Sequence, residues 1–81
     1  MERYDSAREA VWFDYSMASW TILGCVSREC LEDHFGLHNG FTPDEAVAVF
    51  KANADKIKAK AIAKNPRALT TPPVVVQTSD F

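Results

Sequence analysis

The chain has 81 residues, room for one domain whose core withdraws only about 60–65% of the unfolded surface from water. Its 47% hydrophobic and 25% charged residues exclude a disordered, highly charged segment. No apolar run approaches the roughly 20 residues of a membrane span, and no apolar leader follows the N-terminus, so a cytoplasmic protein without membrane contact is expected. The net charge of −2 conceals a split: residues 1–50 hold three basic and nine acidic side chains, residues 51–81 six and two.

Residues 1–9 are polar and without period, and read as a loose leader. From Ala10 to Tyr15 the chain alternates: Val11, Phe13 and Tyr15 share one face while Trp12 and Asp14 take the other, as a half-buried strand requires. Ser16 to Ser19 connect this segment to a second, β-branched and aromatic strand, Trp20 to Val26, paired antiparallel. Ser27 then caps a short helix reaching about Phe35. Glu29 lies in its first turn, Leu31 and Phe35 on its buried side, and Gly36 stops it.

A long helix is expected from Pro43 to Lys64. Thr42 and Glu45 form a capping box with Pro43 at the first helical position, and Phe41 with Ala46 is placed for a hydrophobic staple. Ala46, Phe50, Ala54, Ile57 and Ala61 fall within about 80° of arc at 100° per residue, a stripe suited to lie across a sheet. Pro66 ends the helix. Residues 66–73 form a proline-containing linker, and Val74 to Thr78 read as a third strand that rejoins the sheet. The expected fold is one small α+β domain: an antiparallel sheet of about three strands, with one short and one long helix mainly on one face.

Cys25 and Cys30 form no disulfide framework and are expected to be reduced and partly buried. Cys30, His34 and His38 have helical i, i+4, i+8 spacing, but Gly36 interrupts the helix before His38. They supply three ligands at most, so no metal or cofactor is expected. Cys30 has a helix N-terminus and His34 beside it, yet no residue to orient that histidine as a base. The three glycines build no phosphate loop. A non-enzymatic domain is the expectation.

The segments Ala10-Val11-Trp12-Phe13 and Cys25 to Gly36, then Phe50, Ala52-Asn53-Ala54, Ile57, Ala61 and the closing valine-rich strand with Asp80-Phe81, resemble a small bacterial family, domain-of-unknown-function family 1488. The resemblance spans most of the chain through short, structural motifs. It implies a compact α+β fold and carries no catalytic residues.

Two binding readings follow. The aromatic residues Trp12, Tyr15 and Trp20, joined by the acidic residues Glu29, Glu32 and Asp33, make a candidate protein-binding set, because tryptophan and tyrosine bury large area at small entropic cost. On this reading the chain is a small regulator or inhibitor that occupies a partner's surface. Inhibitors from phages or mobile elements, directed at a host nucleic-acid defence complex such as CRISPR, are one class of this type, the acidic half meeting a basic, nucleic-acid-binding target. Homodimerisation through a sheet edge or Trp12 is a further expectation. The alternative is a nucleic-acid-associated module using Lys56, Lys60 and Lys64. The acidic net charge, and lysines scattered around the helix, speak against direct nucleic-acid contact.

Overall fold

A computed structural model describes residues 2–66 and 72–81. The chain is α+β, with a four-stranded mixed sheet in the order β1-β2-β3-β4. The strands are β1 (Arg3–Asp5), β2 (Ala10–Met17), β3 (Trp20–Ser27) and β4 (Val74–Val76). Between β3 and β4 lie three helices, α1 (Arg28–Phe35), α2 (Pro43–Ala52) and α3 (Ala54–Lys64), and a 3-10 turn over Thr78–Asp80 follows β4.

The antiparallel β2–β3 hairpin is the centre of the sheet, with Val11, Phe13 and Tyr15 opposite Val26, Gly24 and Ile22. Its connection is tighter than the sequence suggested: Met17 pairs with Trp20, leaving a two-residue turn in which Ala18 takes φ 55°. Residues 1–9 are not a loose leader, because Arg3, Tyr4 and Asp5 pair antiparallel with Trp12, Val11 and Ala10. Three residues are too few to show a period, so this strand left no pattern to read.

The final strand also departs from expectation. Val74, Val75 and Val76 run parallel to Gly24, Cys25 and Val26. A parallel partner needs a long crossover, and the three helices supply it over one face of the sheet. The strand stops at Val76, because residues 78–80 turn into the 3-10 element. Of the linker expected at 66–73, residues 67–71 lie outside the described residues.

The long helix is divided at Asn53. The Asn53 amide N–H donates to Phe50 O at 2.9 Å and its side-chain Nδ2 to Val49 O at 2.9 Å. An asparagine that bonds back to the preceding turn competes with the regular helical ladder, and the two segments part there. The break lets α2 lie against β1 and α3 against β4, so the helices cross the sheet from edge to edge. The predicted stripe survives it: Ala46, Phe50, Ile57 and Ala61 are all buried, and Ala54 is half-buried.

Both predicted caps form. Thr42 and Glu45 exchange capping-box bonds, Ser27 Oγ accepts from the Cys30 amide at 3.1 Å, and Gly36 ends α1 in the left-handed conformation at φ 78°. Phe41, ahead of the Thr42 cap, meets Tyr4 of β1 edge-on at 5.2 Å and packs against the core cluster that contains Ala46. In the core Phe13 stacks on Phe50 at 4.9 Å. Gly24 faces the Phe13 ring so closely that a Cβ there would lie 2.9 Å from its carbons.

Candidate protein-binding surface

The six residues read from the sequence as one protein-binding set are distributed over four places. Tyr15 is not available to a partner: it is 3% exposed and belongs to the core beneath the helices. Its alternation puts it on the same face as Val11 and Phe13, and that is the face the helices cover; its position near the hairpin loop does not free it.

Trp12 stands on the opposite, helix-free face and is half-buried. The N-terminal segment covers it. Asp5 accepts the indole N–H at 2.9 Å, and the guanidiniums of Arg3 and Arg8 lie 5.6 and 5.0 Å from the ring centroid. Cation–π contacts of this kind hold both partners in place. The indole hydrogen bond, helped by the Arg8 amide, holds the Asp5 carboxyl below its ordinary pKa. Across the ladder from Trp12, Cys25 is fully buried. Burial raises its thiol pKa, against the lowering effect of Arg8. This corner is internally satisfied.

Trp20 is different. It closes the β2–β3 hairpin at the tip and is 65% exposed. β1 pairs only with Ala10–Trp12 and β4 only with Gly24–Val26. Among the described residues, the outer half of the hairpin is therefore a two-stranded ribbon extending past its neighbours. Leu23, also exposed at 42%, lies on that ribbon.

Glu29, Glu32 and Asp33 sit at the other end of β3. Trp20 and Ser27 are separated by the length of that strand, about 23 Å at 3.3 Å per residue, and α1 begins after Ser27. Glu29 and Asp33 are exposed there. Glu32 is engaged with Arg28 at 3.8 Å, and Arg28 also pairs with Glu9 at 3.0 Å. The acidic cluster and the exposed tryptophan are thus two separate surfaces.

Two of the three lysines of the alternative reading serve the fold. Lys64 Nζ donates to the Val75 carbonyl, and to Asp80 Oδ2 at 2.8 Å. Burial pushes the Asp80 carboxyl up, but Lys64 and the Gln77 amide outweigh it and its pKa ends lowered. Lys60 Nζ lies 5.2 Å from the centroid of the Phe81 ring. Lys56 is exposed.

The residues considered for chemistry diverge as well. His34 Nε2 bonds to Thr78 O at 3.0 Å, whereas His38 Nε2 bonds to Glu45 Oε2 at 2.6 Å. Cys30 is buried, and burial, with Asp80 and Asp33 adding to it, pushes its thiol up to about 11. That is the reverse of the activation a thiol nucleophile requires. Among the described residues no His, Cys, Asp or Glu group is arranged to hold a metal ion, and no helix is long and apolar enough to cross a membrane.

The β1–α2 groove was not legible in advance. Glu2 and Tyr4 form one wall, and Pro43, Val47, Ala48 and Lys51 the other. Reading it required knowing that β1 exists. No protein-family model, curated protein or solved structure matches the chain.

Proposed function

We propose that the protein is a non-enzymatic protein-binding domain, a small regulator or inhibitor that acts by occupying a partner's surface. One observation carries this reading: Trp20, 65% exposed at the tip of a ribbon extending past its neighbouring strands. A tryptophan has only two side-chain torsions to fix and a large area to bury, so it loses little entropy on docking, which is the property of an interface anchor. An interface of standard size needs only about 800 Å² per partner, within reach of a molecule with 4915 Å² of surface.

The exposed Glu29 and Asp33 at the far end of β3 favour a target with a basic face, and a nucleic-acid defence complex such as CRISPR is the target class to be tried first. The resemblance to family 1488 belongs to the same proposal and adds no activity to it.

The test is affinity capture from bacterial lysate, with and without nuclease, repeated with Trp20→Ala. A stoichiometric partner that survives nuclease and is lost on Trp20→Ala supports the reading. A partner retained undiminished by Trp20→Ala removes the anchor role, and partners lost with nuclease direct attention to nucleic acid.

A further inference from the structure

The two edges of the sheet are treated differently. At β4 the ammonium of Lys64, reaching from the end of α3, occupies the Val75 carbonyl, and a charge placed over a sheet edge guards against pairing with another chain. At β1, among the described residues, no side chain caps an outward backbone group in this way; the edge has only its three-residue length and the charges of Arg3 and Asp5 as protection. Glu9 O accepts from the Arg28 amide at 2.8 Å, continuing the register in which Ala10 faces Ser27. The odd-numbered residues of β2 therefore bond toward β3 and the even-numbered ones toward β1. With Arg3 opposite Trp12 and Asp5 opposite Ala10, the ladder leaves the N–H and C=O of Tyr4 directed away from the sheet. Among the described residues, no turn, loop or cap bond reaches them.

This open edge borders the groove whose far wall is α2. Val47 is half-buried and Ala48 exposed on that wall. The charges around the groove balance, Glu2 and Asp44 against Arg3 and Lys51. The chemistry that fits the outward donor and acceptor of Tyr4 beside a small apolar helix wall is another extended strand.

We infer that the β1–α2 groove takes an extended peptide segment of a partner, added to the sheet as a fifth strand beside β1. The backbone bonds go to Tyr4. Every second side chain of the peptide faces Val47 and Ala48, so small or β-branched apolar residues are selected at alternate positions without a charge preference. This surface is separate from the Trp20 tip and stands without it.

The test uses the full chain as target for a phage-displayed library of random dodecapeptides, with amide NMR of the labelled protein to map what is selected. Peptides with alternating apolar residues are expected. They should shift the amides of residues 2–5 and 44–51 and slow hydrogen exchange at the Tyr4 N–H. Methylating alternate peptide amides should weaken binding at least tenfold. Ala48→Arg, which places a long side chain in the groove from an exposed helix position, should do the same with an unchanged circular dichroism spectrum. Trp20→Ala should leave peptide affinity within twofold, so this site and the hairpin anchor fail separately. Recovery of no peptide, shifts confined to other surfaces, or indifference to amide methylation would overturn the inference.

Discussion

The Glu45 carboxylate serves two structures at once. One oxygen accepts the Thr42 amide at 2.8 Å to complete the capping box, and the other takes His38 Nε2 at 2.6 Å, tying the preceding loop to α2. The bond to Glu45 raises the His38 pKa above its ordinary 6.5, and the same bond lowers that of Glu45. A raised histidine pKa contributes stability that is fully present below the unfolded value and is lost as pH rises through the folded value. The lowered carboxyl contributes above its unfolded value and is lost as pH falls through its folded one. The pair therefore acts between mildly acidic and neutral pH. Thermal melts of wild type and His38→Ala should differ most near pH 5–6 and converge above neutrality; a pH-independent difference would show that the pair does not titrate with folding. Gly24 is a second residue-scale test. A Cβ there meets the Phe13 ring at 2.9 Å, so Gly24→Ala should cost about 1–3 kcal/mol in chemical denaturation.

Among the elements, those with strong local chemistry were legible. Ser27 and Gly36 bound α1, Thr42 to Glu45 start α2, and the alternation of Val11, Phe13 and Tyr15 gives β2 and its buried face. What escaped was set by tertiary context. β1 is stabilised by its ladder to β2 and by Tyr4 against Phe41, not by any propensity of its own three residues. The break at Asn53 lies in a segment whose apolar stripe continues through it, so periodicity alone reads one helix. The parallel sense of β4 depends on where three helices deliver the chain. Of the candidate residues, Trp20 is exposed at the hairpin tip, whereas Trp12 is held by Arg3, Arg8 and Asp5, contacts invisible without β1. Lys64 is the element-scale test. Lys64→Met removes its bonds to Val75 and Asp80, which should cost about 1 kcal/mol and loosen the C-terminal turn. By unguarding β4 it should also introduce concentration-dependent self-association in sedimentation velocity; a monomer of unchanged stability would show that Lys64 guards nothing.

At the scale of the molecule, the principal extents of 37 × 23 × 21 Å describe an elongated body with separable surfaces. The acidic residues Glu29 and Asp33 and the Trp20 tip lie at opposite ends of β3, far enough apart for mutations in one to leave the other intact. Trp20→Ala should therefore change unfolding free energy by no more than about 0.5 kcal/mol while weakening a partner at least tenfold, measured by titration calorimetry. Reversal of Glu29 and Asp33 to lysine should act chiefly on the association rate and its salt dependence, as expected of exposed rim charges.

The parallel closure of β4 also has a kinetic meaning. β2 and β3 meet across a two-residue turn, whereas Gly24 and Val74 pair although they are fifty residues apart along the chain. Closing so long a loop carries its entropic cost before the contact stabilises anything. The expected order is therefore a hairpin formed in the early nucleus and β4 docked after the barrier is crossed. Val26→Ala should then slow folding, with a φ-value of about 0.5–0.8, while Val76→Ala should leave the folding rate nearly unchanged and speed unfolding, with a φ-value of about 0–0.3. That outcome would set the residence time of the native state where β4 latches onto β3, so that loosening the latch shortens the protein's lifetime without slowing its formation.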